Sequence, residues 1–545
     1  MKFPYNPDLI LAIKDCPGRR WHPAEKRWEV PLNSLGWLRN HFPEARYENL
    51  NTELEKITKA VSEHREIKQS FNSFIPHSEL YGYQKDVVHK ALQSNSGYGI
   101  FLEQGIGKTF VALELIRYFK EHGISPALVI CPLILIKNAW FKDCQKFYKD
   151  TLKILSLRDT KGHIPAGYDI YVLNYEMFRL PKNLSNNKRE AMTSAQIIKY
   201  ENTFNKAMEL LNRFVKFNFK ILMLDESSNI KDNTTQTTRA VLELGNNIRY
   251  KYCLSGTPAP NSEKEYWAQL KTIGAIDDNF YKWRRTWFRE SGYRGYDWKL
   301  KRELKLDFYK QFDGRAVFLK KDEALDLPDK VYIPYQVEQN REELDTYELI
   351  KEDVIRLLND EYLTLRGALP VMAKLRQVVS GFCYREGKTI WEANPPSKIE
   401  VLKELLKEIN SQVIIWIQFN EEKRHILKHF KGILKIGCLT GEETLKEKEK
   451  NIDDFISGKL DVLTAHPDSA KHGLTFTNCN YTIYYSRSFS LEQWIQSQDR
   501  LHRRGQTKKC FYYILQTDTW IDKRIDNVLE GKEKMSLDLL RSLKG

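Results

Sequence analysis

Residues 98–116, YGIFLEQGIGKTFVALELI, decide the fold. An apolar run, Tyr98–Leu102, stops at the turn Gly105-Ile106-Gly107-Lys108-Thr109, and an amphipathic run follows at once. This order reads as strand, phosphate loop and helix. The glycines Gly105 and Gly107 let backbone N–H groups turn toward a polyphosphate at the helix N-terminus; Lys108 reaches the terminal phosphates and the Thr109 hydroxyl ligates Mg²⁺. The full pattern GxxxxGK[ST] asks for a glycine where Leu102 stands, so the reading leans on the strand and helix that flank GKT.

Outward from this element, short apolar runs alternate with helical patterns: 127–131, 169–173, 220–225 and 251–255, and again at 412–417, 461–465, 481–485 and 511–516. Such alternation predicts parallel sheets covered by helices, here two α/β lobes of RecA-like type with helical insertions. The expected division is a small α+β module at 1–50, a charged linker at 51–75, a first lobe at 76–335, a helical connector at 336–396 and a second lobe at 397–545. Within 1–50, GRRWHPAEKRWEVP reads as two short strands about a turn. Its tryptophans suit a small core, and its arginines suit phosphates.

The 545 residues carry 86 Lys+Arg against 72 Asp+Glu, a net charge of +14, which favours polyanionic partners where the charge is clustered. Eight scattered cysteines form no CxxC pair, so reduced thiols and no structural zinc are expected. No run approaches the roughly 18 apolar residues of a membrane span. A cytoplasmic setting, bacterial or virus-infected bacterial rather than a eukaryotic nucleus, is the corresponding expectation. The polar stretch 185–217 reads as an excursion from the first lobe and a candidate contact for a protein partner.

Asp225-Glu226 closes the run KILMLD, at the sheet edge where ligands bind. There Asp225 can hold Mg²⁺ and Glu226 can orient or deprotonate water. In the second lobe QSQDRLHRRGQ begins on a predicted helix and spaces Arg500 and Arg503 three apart. That lobe has no phosphate loop of its own, so these arginines are expected to reach a γ-phosphate held by the first lobe. On the helical wheel Arg504 lies on another face and should matter less.

In order, LYGYQ (80–84), EQGIGKT, LVICPLILIKNAW, DESSNIKD, LSGTPAPNSEKEYW, FLKKDEALDLPDK and QDRLHRRGQT resemble the motifs of the SWI/SNF-like branch of superfamily 2 helicases and translocases, from Leu80 to Leu529. HGLTFTNCN and IQSQDRLHRRGQT are most similar to the SMARCA-like annealing helicases, and the N-terminal stretch resembles their HARP module. The resemblance implies ATP and Mg²⁺ as cofactors, with Tyr81 and Gln84 at the adenine. It implies DNA contacts at Pro132, Lys231, Ser255, Thr257, Thr464, Lys471 and Phe489, and, in the HARP-like module, at Arg19, Arg20 and Trp21. The implied activity is ATP-dependent translocation on duplex DNA, with annealing or remodelling of forks. Two other readings stand beside it: a motor that displaces a DNA-bound protein, and a DNA-binding scaffold with weakened turnover. The chain departs from the family at Tyr81 and Gly82 (arginine and proline), at Ser227 and Ser228 after the acidic pair, at Lys471 and at Phe489, where the family has tryptophan.

Overall fold

The computed structural model describes residues 74–178 and 208–544, less 95–96, 161–162, 292–296, 360–364, 386–387 and 471–473, together with Ile13, Arg20–His22, Arg27–Glu29, Thr193 and Asn205. The chain divides into two compact units, Met1–Asn72 and Ser73–Gly545. In the first, Arg20–His22 pairs antiparallel with Arg27–Glu29 and Trp21 stands opposite Trp28 in the register. Arg19 and nearly all of the expected linker lie outside the described residues, as does most of the 185–217 excursion.

The second unit holds two parallel sheets. The strands of the first are β1 (Gly97–Leu102), β2 (Ala127–Cys131), β3 (Ile154–Ser156), β4 (Ile170–Asn174), β5 (Ile221–Asp225), β6 (Tyr250–Leu254) and β7 (Ala316–Leu319), in the order β7-β1-β6-β5-β2-β4-β3. All its pairings are parallel. β1, β2, β4 and β5 are buried at every position, which is why they are continuous apolar runs rather than alternating ones. Leu211 and Phe214, from the described end of the 185–217 excursion, join the same core.

The second sheet comprises β8 (Lys330–Gln336), β9 (Val413–Trp416), β10 (Ile436–Leu439), β11 (Val462–Ala465), β12 (Tyr481–Tyr484) and β13 (Cys510–Gln516), ordered β8-β13-β12-β9-β11-β10 and again wholly parallel. Val413 and Ile415 fall in one apolar cluster, Ile414 and Trp416 in the other, so the alternation of β9 feeds a core on each face. Each such side chain contributes roughly 1.5–3 kcal/mol of burial.

The boundary at 335 needs correction. Lys330–Gln336 pairs along its whole length with Cys510–Gln516 and is an edge strand of the second sheet. Its Pro334 is tolerated because an edge strand leaves one row of N–H groups unpaired. The connector carries a β-hairpin, Phe382–Arg385 with Lys388–Glu392, besides the helices Arg341–Asn359 and Leu365–Val379. Among the described residues no helix is long and apolar enough to cross a membrane.

Candidate functional site

β1 delivers the chain to the phosphate loop, and the helix Lys108–Glu121 starts immediately after it. Gly105 and Gly107 both have positive φ, +86° and +84°; a Cβ on Gly107 would stand 2.2 Å from Gln84 Nε2. Glycine is therefore required there by backbone and by space. Gln84 pins the loop: its Nε2 donates to the Ile106 carbonyl (3.0 Å) and its Oε1 accepts from the Tyr81 N–H (3.0 Å). Tyr83 adds an O–H bond to the same carbonyl, 3.1 Å. Each end of the Gln84 amide keeps one further hydrogen-bonding capacity. Tyr81 stacks on Tyr83 with ring centroids 5.7 Å apart.

The acidic pair faces this loop from the end of β5. Asp225 is buried; its Oδ2 accepts from Trp140 Nε1 at 2.9 Å and its Oδ1 from the Glu226 N–H at 3.0 Å. Burial, reinforced by the neighbouring Glu226 carboxylate, pushes Asp225 up to about 6 against the opposing pull of Lys108. Glu226 is the one non-glycine residue with positive φ among those described, +50°, and its carbonyl accepts from Asn229 Nδ2 at 2.8 Å. A strained backbone that its surroundings hold in place is typical of functional positions. Lys108 Nζ lies 3.9 Å from Glu226 Oε1 and donates to the Leu102 carbonyl at 3.2 Å.

The second lobe closes the cleft. Arg500 Nη2 donates to Gln104 Oε1 of the phosphate loop at 2.6 Å, while Nε and Nη1 bind the carbonyls of Gln496 and Leu474. Burial, with Arg503 alongside, holds its guanidinium down at about 10, still cationic at neutral pH. Arg503 also donates to Leu474 O, and the Arg504 guanidinium sits 4.9 Å over the Tyr81 ring. The cleft, about 700 Å³, is lined by Lys108, Thr109, Asp225, Glu226, Arg500 and Arg503, among others. One expectation is corrected here. The helix ends at Gln498, so residues 499–504 form turns and the helical-wheel argument that sets Arg504 apart does not apply.

The residues expected at DNA differ in exposure. Ser255 is fully buried and its hydroxyl lies 3.5 Å from Glu226 Oε2; Thr464, inside β11, is fully buried, and Pro132 is buried at the end of β2. Burial in this arrangement of the lobes keeps these three side chains away from solvent. Thr257 and Phe489 are half-buried, Phe489 packing on the Leu491–Leu529 cluster. Lys231 Nζ stands 3.8 Å from Glu492 of the second lobe. Lys471 lies outside the described residues, and for Arg20 and Trp21 only the backbone is described.

The SNF2-related domain model matches residues 83–383, more than half of the chain, and the helicase conserved C-terminal domain model matches 397–505. The chain belongs to the SNF2-related family. As a member it is an ATP-dependent enzyme of helicase type. It is similar to a SWI/SNF-related matrix-associated actin-dependent regulator of chromatin subfamily A-like protein 1 homolog of Caenorhabditis elegans, 23% identical over 99% of this chain and 73% of that one. It is also similar to a putative ATP-dependent helicase/translocase of Bacillus subtilis, 25% identical over 90% of this chain. The chain spans 52% of the length of that second relative. A solved SWI2/SNF2 ATPase core of Sulfolobus solfataricus in complex with dsDNA aligns over 84% of this chain and 92% of its own, at 21% identity and a TM-score of 0.39.

Trp140 and Gln269 of this SNF2-related chain carry no sequence signal of their roles. Trp140 reads as one more apolar residue, yet a π-helical turn, Ile136–Phe141, presents its indole N–H to Asp225. Gln269 accepts from Ser227 Oγ at 2.8 Å and donates to Pro258 O at 2.6 Å, so the serine that replaces the family residue ties the acidic strand to the loop after β6. The hydroxyl of Thr109 and the carboxylate of Asp225 line one cleft and offer oxygen donors of the kind a hard cation takes, so they fit Mg²⁺. Away from the cleft, Glu392, Glu421 and His425 bring donor atoms within 4.8 Å of one another, but Lys428, Tyr384 and Arg424 already engage the two carboxylates.

Asp225 also sets a stability prediction. A carboxyl whose folded pKa lies above its unfolded value stabilises the protein only at low pH, and that contribution is lost as pH rises through about 6. Above that pH the buried ionised carboxylate is a cost. Asp225→Asn should therefore raise the melting temperature of the nucleotide-free protein at pH 7.5 by roughly 1–3 °C, show no gain near pH 4, and abolish turnover. Thermal scans at the two pH values check it; equal shifts at both would refute the electrostatic origin.

Proposed function

We propose that the protein couples ATP hydrolysis to movement along duplex DNA. The observation that carries this is the contact between Arg500 and Gln104, which sets a second-lobe cation against the first-lobe phosphate loop inside one cleft. A nucleotide in that cleft touches both lobes, so its arrival and hydrolysis change how they sit together. Lys108 exchanges Glu226 for the terminal phosphates. Glu226, released, orients and deprotonates the attacking water from a backbone that is already fixed. Ser255, next to Glu226, lets the loop after β6 sense the change. Arg500 and Arg503 stabilise the charge that develops on the transferred phosphoryl group. Thr109 and Asp225 would hold Mg²⁺, which would further neutralise phosphate charge.

Grip on DNA would run through phosphates and so be independent of sequence and sensitive to salt. The exposed Lys137 and Asn138 and the half-buried Lys231 are better candidates for it than the buried Pro132, Ser255 and Thr464. The test is ATP turnover without DNA and with single-stranded, duplex and forked DNA, alongside displacement of a triplex-forming strand from duplex. Stimulation by duplex with ATP-dependent triplex displacement is expected. Stimulation without displacement would reduce the protein to a DNA-dependent ATPase that does not translocate.

Fork annealing or remodelling is a finer reading, favoured by the separate compact unit Met1–Asn72 and its Trp21–Trp28 hairpin. Removing residues 1–72 should leave ATP binding intact and lower the ratio of fork-stimulated to duplex-stimulated turnover. An unchanged ratio would remove the unit from DNA selection.

A further inference from the structure

The strands of the first sheet end at Leu319 and those of the second begin at Lys330, so residues 320–329 form the covalent bridge between the sheets. This bridge is strapped to the turn that bears the arginines. At its start the buried Lys321 ammonium forms an ion pair with the buried Asp499 and donates to the His502 carbonyl at 2.8 Å. The Lys321 N–H donates to Glu103 Oε2 at 3.0 Å, and Glu103 stands next to Gln104, the partner of Arg500. At its end the His502 ring donates from Nε2 to the Pro328 carbonyl at 2.7 Å. Just beyond, Lys330 and Tyr332 both donate to Gln498 Oε1, at 3.3 and 2.6 Å. The bridge and the start of β8 thus hold residues 498, 499 and 502, on both sides of Arg500 and directly before Arg503.

A buried ion pair is an expensive way to hold a fold together, because desolvation offsets most of its attraction; its best-attested use is to fix register. Here the register at stake is that of the guanidinium groups against the phosphate loop. We propose that Lys321 and Asp499 are positioning residues, through which the interlobe bridge aims Arg500 and Arg503 into the nucleotide cleft. The proposal rests on the reading of those arginines as the groups that meet developing phosphoryl charge. Neither Lys321 nor Asp499 needs to touch the nucleotide for it to hold.

The test is a double-mutant cycle on the full chain. Lys321→Met, Arg500→Ala and the double variant are compared for duplex-stimulated kcat, for KM, for binding of a fluorescent ATP analogue and for melting temperature, with Lys321→Arg as the charge-retaining control. Lys321→Met should lower kcat roughly 10–100-fold with nucleotide affinity within about threefold, and Lys321→Arg should restore most of it. The double variant should be no slower than Arg500→Ala alone, because the lysine acts through the arginine. Losses that multiply, or an unchanged kcat in Lys321→Met, would overturn the positioning role while leaving the arginine assignment standing. An unchanged kcat in Arg500→Ala would instead overturn the assignment on which the proposal rests. If Lys321→Met does not fold, Asp499→Asn, which keeps the side-chain shape and removes the charge, takes its place in the same cycle and is judged by the same outcomes.

Discussion

Glu226→Gln is expected to bind ATP and fail to turn it over, with kcat reduced about 10³-fold or more, as removal of a positioned general base does. The amide keeps the shape and the left-handed backbone that Asn229 holds, so the cleft remains formed. It loses only the proton acceptor. Lys108→Ala should reach a similar loss of turnover by another route, weakening nucleotide binding itself. A second consequence follows from the 3.9 Å approach of Lys108 to Glu226. In the nucleotide-free cleft the lysine lies beside the acidic pair, and its removal leaves the two carboxylates facing each other. The nucleotide-free Lys108→Ala protein should therefore melt at a lower temperature than the parent at pH 8, and the deficit should shrink as the pH falls and Asp225 takes up a proton. Equilibrium titration with a fluorescent nucleotide, beside steady-state turnover, separates the two variants. Near-normal turnover in Glu226→Gln would show that another group activates the water.

Which strands could be read from the chain, and which could not, follows from burial. The interior strands β1, β2, β4, β5 and β6 of the first sheet and β9, β11, β12 and β13 of the second are covered on both faces and stand out as apolar runs. In these two sheets the four strands that escaped the reading are the four edges: β3, β7, β8 and β10. Ile154–Ser156 is only three residues long, and Lys330–Gln336 alternates half-buried and exposed positions, so neither resembles a central parallel strand. Missing β8 is what misplaced the lobe boundary.

The site divides in a similar way. Lys108, Thr109, Asp225 and Glu226 are legible because phosphate and metal chemistry dictates residue type and spacing at strand ends. The side chains that orient them are not, because Trp140, Gln269 and Lys321 have ordinary uses in a core or on a surface and acquire these roles only through tertiary contacts. The buried Ser255 and Thr464 mark the converse limit. A motif can be assigned to DNA as a whole while its individual side chains face the sheet.

The arginine turn yields the second large effect. Arg503→Ala should leave ATP affinity nearly intact and depress duplex-stimulated hydrolysis by about 10³-fold, the lower end for a cation supplied to a phosphoryl transition state. Arg500→Ala should resemble it, with some loss of thermal stability, since Gln104 Oε1 and the Gln496 carbonyl then lose this donor, while Leu474 O keeps Arg503. Arg504 has a separate task. Its guanidinium lies over Tyr81, which itself stacks on Tyr83, and these groups line the cleft together with Gln84. A flat cation over a tyrosine face is worth roughly 0.5–2 kcal/mol, and a nucleobase at the same place meets both groups. Arg504→Ala should raise the KM for ATP about 3–30-fold on that scale while changing kcat little, and Tyr81→Ala should produce the same shift without adding to it. The mirror result, a large fall in kcat for Arg504→Ala with a mild effect of Arg503→Ala, would mean that the turn presents Arg504 to the phosphates when the lobes close.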